Sequence, residues 1–280
     1  MTSQAPIRTR SWLFTPATRP ERFAKASQAG ADVAILDLED SVAPGDKVRA
    51  RTTALDYLEG NPSDGALHAL RINGLDTRVG ISDLDALLGA RIAPDFLVVP
   101  KTETAGHLQI LDRLLTYTGK HTRLIGLVES AHGLAAVPAI AAATPRLAGL
   151  MLGAADLAAD LGTAAAWEPL AFARGHLIVA CALAGVTPID SPFFNLHDEA
   201  GFTQEVAAAV AFGFVAKAAI HPGQISAINA ALTPTAEAVE KARAVLAENA
   251  KGVGTIDGQM IDEAVARKAR RTLAAAGLAA

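Results

Sequence analysis

TPATRPER (residues 15–22) is the turn that follows the first short apolar run of the chain. It separates two architectures that both repeat strand and helix. In an open doubly wound sheet the first strand-to-helix turn is normally glycine-rich. Here it holds two prolines and no glycine. Outward from this turn, short apolar or β-branched runs predict strands at 12–15, 33–38, 67–72, 96–99, 124–128, 148–152, 186–189 and 214–218. Amphipathic, alanine-rich stretches between them predict helices at 20–29, 47–58, 82–88, 105–117, 133–143, 169–184 and 199–212. A strand–helix unit repeated eight times predicts a closed (β/α)8 TIM barrel. The barrel is expected over residues 1–232, with a C-terminal helical extension or lid over 233–280.

A barrel predicts where chemistry should be, because catalytic groups sit where strands end and βα loops begin. In VAILDLEDSV (33–42) an apolar run ends in Asp37, Glu39 and Asp40. Like charges raise one another's pKa and resist burial, so this cluster needs a cation, an arginine or backbone donors. Other strand ends carry Arg71 and Asn73, Lys101 and Glu103, Glu129, Asp156, Asp190 and Lys217. The expectation is that they converge on one barrel mouth.

Glu129 and Asp156 fall just after consecutive strands, which lie about 4.8 Å apart in a sheet. Two carboxylates, with the remaining positions left to water and substrate, can hold Mg²⁺. Capping of the following helices is the alternative, and it suits Asp156 better than Glu129. Without a Cys/His ligand set, zinc is not expected. Arg71 offers a fork-shaped donor for a substrate carboxylate or a developing oxyanion. Equally, it can pair with Asp37, Glu39 and Asp40 on the neighbouring strand end, and the two roles are compatible. Lys101 reads as a salt-bridged lysine and not a Schiff-base nucleophile, since Glu103 and the acidic mouth favour its charged form. His221, in IHPGQ (220–224), reads as a structural or gating histidine and not a general base. The glycine-rich KGVGTIDGQM (251–260) predicts a hinge or loop before a last helix that Asp262 opens.

Composition narrows the class. The chain of 280 residues is 51% hydrophobic and 19% charged, enough for a substantial core. A net charge of −4 without a basic block gives no footprint for nucleic acid or an anionic membrane. The single Cys181 excludes an intramolecular disulfide. No signal peptide or transmembrane stretch is evident, so a soluble cytoplasmic protein is expected. No GxSxG motif, P-loop or Cys/His signature supports a hydrolase triad or a nucleoside-triphosphate site.

Several segments together resemble the citrate lyase β-subunit-like family, which includes malyl-CoA and citramalyl-CoA lyases within the wider HpcH/HpaI aldolase group. They are RSWLFTPATRPERFAKASQAGADVAILDLEDSVAPGDKVRAR, LRINGLDT, VVPKTE, GLVESAHGL, LGAADLAADLG and AKAAIHPGQISAIN, in order over almost the whole chain. The resemblance implies a Mg²⁺-dependent barrel that makes or breaks a C–C bond between a CoA thioester enolate and a 2-oxo acid. It puts the metal ligands on Glu129 and Asp156, with Glu129 also touching substrate, and the substrate-binding, catalytic arginine on Arg71. Asp37, Glu39 and Asp40 become supporting residues around them. The DGQMID segment puts an acid/base on Asp262, reaching a neighbouring subunit's site, and the family implies a trimer or hexamer. Two departures stand out: Ala155 precedes Asp156 where relatives often have Glu, and Ala17 follows Pro16 where they often have Gly. A thioesterase, an aldolase acting on free 2-oxo acids and a subunit of a citrate lyase complex are the alternatives.

Overall fold

The structure is a computed structural model that describes residues 9–60, 65–252, 254–256 and 258–278. Eight parallel strands close a barrel in sequence order. They are β1 (Ser11–Pro16), β2 (Val33–Asp37), β3 (Leu67–Arg71), β4 (Phe96–Val99), β5 (Arg123–Val128), β6 (Leu147–Leu152), β7 (Thr187–Asp190) and β8 (Ala216–Ala219). The ring shuts where Ser11 of β1 registers with Lys217 of β8. Helices such as Lys47–Glu59, Arg78–Gly89, Ala105–Tyr117, Ala171–Ala184 and Glu199–Phe212 lie between successive strands in the chain.

The period-two pleat of each strand sorts side chains into two layers. One cluster joins Leu36, Leu70, Leu97, Leu124, Val128 and Leu150 to helix residues such as Leu108, Leu111 and Leu177. A second cluster is built from all eight strands, including Trp12, Val33, Ile35, Ala69, Val98, Leu127, Met151, Ile189 and Ala216, and fills the barrel. Continuing that inward parity by one step puts Asp37 after Ile35, Arg71 after Ala69 and Glu129 after Leu127, all at the C-terminal end.

The same parity corrects part of the expectation about the mouth. Asp190 follows inward Ile189, and Lys217 lies between inward Ala216 and Ala218. Both therefore face the helical layer. There Asp190 accepts from Arg174 Nε at 3.0 Å and from Lys217 Nζ at 2.6 Å, while Lys217 also donates to Glu205 at 2.9 Å.

Helix boundaries differ in two places. The stretch expected as one helix at 133–143 is two, Ala131–Ala135 and Val137–Ala141. Pro138 sits in the first turn of the second, where its missing N–H is tolerated. A helix that the periodicity did not show, Ala154–Leu161, follows β6 and ends at Gly162 in the left-handed region, φ +66°.

Compactness divides the chain into Arg10–Ile228 and a second unit that contains residues from Asn229 onward. The second unit holds helices Ala236–Asn249 and Glu263–Ala275 around Ala242, Val245, Ile261, Ala269 and Leu273. Between the helices, β9 (Gly254–Ile256) and β10 (Gln259–Ile261) form an antiparallel hairpin where the sequence predicts a glycine-rich hinge or loop. Positions 253 and 257 of that stretch lie outside the described residues. Among the described residues no helix is long and apolar enough to cross a membrane.

Candidate active site

Arg71 is the centre of the polar cluster at the barrel mouth. It is the register partner of Asp37 across β2 and β3. Its Nε donates to Asp37 Oδ1 at 2.6 Å and its Nη2 to Asp37 Oδ2 at 2.7 Å, a bidentate pair. The Nη1 atom lies 2.9 Å from Glu39 Oε2 and 3.4 Å from Asp40 Oδ2. Phe14 of β1 lies beneath the guanidinium, 4.8 Å from its carbon to the ring centre. Burial alone would lower the arginine pKa, but Asp37, Glu39 and Asp40 outweigh it and hold the pKa above the ordinary value. Burial would likewise raise Asp37, and Arg71 holds it below the usual carboxylate range instead. The cluster of acids in the sequence thus has its cation.

Glu39 and Glu129 are in a different state. Both are 4% exposed. Glu39 has Arg71 Nη1 at 2.9 Å and Lys101 Nζ at 3.4 Å, yet neither of its oxygens receives a directed hydrogen bond. Burial pushes its carboxyl up to about 7. Burial, then the negative charge of Glu39, pushes Glu129 up to about 8. At both carboxyls burial outweighs the pull of the nearby cations.

The backbone fixes Glu129. Lys101 has φ +49°, and among the described residues no other side-chain-bearing residue has a positive φ. In that conformation its N–H donates to Glu129 Oε1 at 2.7 Å. On the other side Gly153 closes against the same side chain. A Cβ at Gly153 would lie 2.4 Å from Glu129 Cβ and 2.7 Å from Oε2, so only glycine fits. Neither constraint was foreseen from sequence.

Asp156 lies in the first turn of helix Ala154–Leu161, whose N-cap is Gly153. Glu129 is no cap either, because Ser130 caps the next helix by accepting from Gly133 N at 3.1 Å. Glu129, Asp156, Arg71, Asp37 and Asp40 line one cavity of about 440 Å³. Its apolar wall is Phe14, Leu127, Met151, Pro192, Phe194 and Ile220, and Ala155 lies on its lining.

Asp262 belongs to the second unit. It is the N-cap of helix Glu263–Ala275, accepting from Val265 N at 3.0 Å. Lys101 and His221 both make structural contacts. Lys101 pairs with Glu39, and His221 Nδ1 accepts from Gly223 N at 3.1 Å to cap a short turn.

Comparison with known proteins adds identity to this geometry. The HpcH/HpaI aldolase/citrate lyase family matches over residues 10–222. The chain belongs to that family. The L-malyl-CoA/beta-methylmalyl-CoA lyase of Rhodobacter capsulatus is 37% identical, over 95% of this chain and 94% of its own. RipC from Yersinia pestis has a crystal structure 57% identical in sequence. It aligns with a TM-score of 0.74 over 82% of this chain and 98% of its own. CitE from Mycobacterium tuberculosis, crystallised with magnesium, acetoacetate and coenzyme A, is 36% identical. Its TM-score is 0.81, over 96% of this chain and 98% of its own. Membership of the HpcH/HpaI group, with relatives named as lyases over nearly the full length, makes this chain an enzyme, a carbon–carbon lyase.

Proposed function

We propose that the chain is a Mg²⁺-dependent lyase for a 3-hydroxyacyl-CoA, such as malyl-CoA or citramalyl-CoA, yielding an acyl-CoA and a 2-oxo acid or running in reverse. The observation that carries this reading is the meeting of Glu129, Asp156 and Arg71 in one 440 Å³ cavity at the barrel mouth. The named substrates of the Rhodobacter relative and the magnesium and coenzyme A of the Mycobacterium neighbour support it.

The residues fit a divalent cation. Glu129 is held by one backbone donor, and burial and Glu39 push its carboxyl up to about 8, a penalty that a bound cation would remove. Among the described residues no three His, Cys, Asp or Glu side chains form a closed cage. Mg²⁺ does not require one, because it keeps several waters and takes one or two carboxylates plus substrate oxygens. Glu129 and Asp156 would hold it, and when bound it supplies Lewis acidity toward the carbonyl of the 2-oxo acid.

In cleavage a base takes the hydroxyl proton and that oxygen becomes the 2-oxo carbonyl. The C–C pair then passes into the thioester enolate. Arg71, held cationic and in place by Asp37, meets the negative charge growing on oxygen. Asp262 returns a proton to the enolate carbon, releasing acyl-CoA. This last role rests on the DGQMID segment and not on site geometry.

The test is an assay of malyl-CoA and citramalyl-CoA for acyl-CoA and 2-oxo acid, with and without Mg²⁺. Release of free thiol without oxo acid would indicate a thioesterase. Turnover only of free hydroxy acids would indicate an aldolase that does not use CoA.

A further inference from the structure

Part of the cavity's apolar wall, opposite in kind to its carboxylates, is made by the loops after β7 and β8. Pro192 and Phe194 come from the first loop and Ile220 from the second. Loops at a barrel mouth hold their shape only if their backbone groups find partners. Here one side chain serves both. Gln224 Oε1 accepts from Ile220 N at 3.0 Å and His221 N at 3.2 Å, while its Nε2 donates to Phe193 O at 2.9 Å.

Capping the turn Pro222–Gln224 needs only the Oε1 half of this amide. The Nε2 bond spans 31 residues and has no part in capping. It fixes the carbonyl between Pro192 and Phe194. The Phe193 ring packs instead against Phe202 of helix Glu199–Phe212, at 5.8 Å between centres. Two residues before Phe193, Lys217 Nζ donates to Ser191 O at 2.7 Å. The loop after β7 is thus anchored twice, and the Gln224 anchor also holds the loop after β8. Gln224 is only 6% exposed, so neither half of its amide has water as an easy substitute.

We infer that Gln224 is a positioning residue that sets the apolar wall Pro192–Phe194–Ile220 against which the non-polar part of the substrate packs. The inference rests on the CoA-thioester reading for its kinetic consequence, but the linkage of the two loops does not.

The experiment compares Gln224→Glu, which keeps the acceptor and loses the donor, with Gln224→Met, which loses both. Hydrogen exchange is followed in residues 191–196 and 220–224 of the full chain, beside KM, kcat and the calorimetric Mg²⁺ affinity. Glu should speed exchange in 191–196, and Met should speed it in both segments. KM for the CoA thioester should rise about tenfold in either variant, with kcat within about threefold of wild type. Mg²⁺ affinity should not change. A merely destabilised enzyme would lose active fraction at constant KM. If exchange in 191–196 is unaltered in both variants, the linkage is wrong whatever the substrate. Faster exchange with unaltered KM, in a wild type that cleaves CoA thioesters, would overturn the positioning role. A wild type that cleaves none refutes the substrate reading, and the exchange data still decide whether Gln224 ties the loops.

Discussion

Asp37 and Arg71 are register partners on adjacent strands, and their side chains meet in a two-point contact of 2.6 and 2.7 Å inside the barrel. Strand pairing itself therefore presents the guanidinium. With two of its nitrogens committed to Asp37, only Nη1 lies against Glu39 and Asp40.

An ammonium group cannot reproduce that arrangement. Arg71→Lys should lower kcat/KM about 10²-fold or more, close to the loss in Arg71→Ala. Asp37→Ala should destabilise the fold by about 3–5 kcal/mol, because it leaves a buried cation short of its main partner. Steady-state kinetics and denaturant unfolding of the three variants check both statements. A lysine variant with most of the wild-type kcat would show that charge alone suffices.

Glu129 and Glu39 give a pH dependence with a definite sign. Each carboxyl is raised from its ordinary 4.5, to about 8 and about 7 respectively, chiefly by burial. The folded state then binds more protons than the unfolded state between these limits, so these groups lower stability as pH rises through that window. Metal-free protein should lose several degrees of Tm between pH 5.5 and 8.5. Glu129→Gln should lose less and be the more stable protein at pH 8.5, although inactive. Added Mg²⁺ should raise the wild-type Tm most at the alkaline end. A wild-type Tm that is flat or rising over this range without metal would contradict the assignment.

Lys101 separates backbone from side chain. Its φ of +49° is costly for any residue with a Cβ and free for glycine. Lys101→Gly should keep the N–H bond to Glu129, hold Mg²⁺ affinity within about threefold, and match or exceed wild-type Tm. Lys101→Val, β-branched, should lose both stability and metal affinity. Calorimetry and thermal unfolding read the difference.

The sequence carried the barrel because strand length, apolar content and helical period changed together at each unit. It also carried Arg71, Glu129 and Asp156 as candidates, since strand ends are where a barrel places chemistry. What it obscured has physical reasons. In β8, AKAA, the inward residues are alanines, so nothing marks Lys217 as facing the helices. The hairpin of Gly254–Ile256 and Gln259–Ile261 is too short for alternation to register. Gly153 is required by a contact with a side chain 24 residues earlier, which no local pattern can show.

Asp262 caps helix Glu263–Ala275, and the same carboxylate is proposed as the acid/base. Asparagine caps as well as aspartate, but it cannot exchange a proton. Asp262→Asn should therefore keep its Tm and Mg²⁺ affinity while kcat falls about 10²–10⁴-fold. Unimpaired turnover would leave the residue with its capping role alone.

Glu129 and Asp156 are proposed to hold a cation which the C–C cleavage needs. Isothermal titration of Mg²⁺ into wild type, Glu129→Gln and Asp156→Asn, with malyl-CoA and citramalyl-CoA cleavage assayed on the same samples, tests it most directly. One Mg²⁺ site is expected in the wild type, lost together with 2-oxo acid release in both folded variants and, for the wild type, in excess EDTA. Full cleavage by either variant, or by the wild type in EDTA, would contradict it.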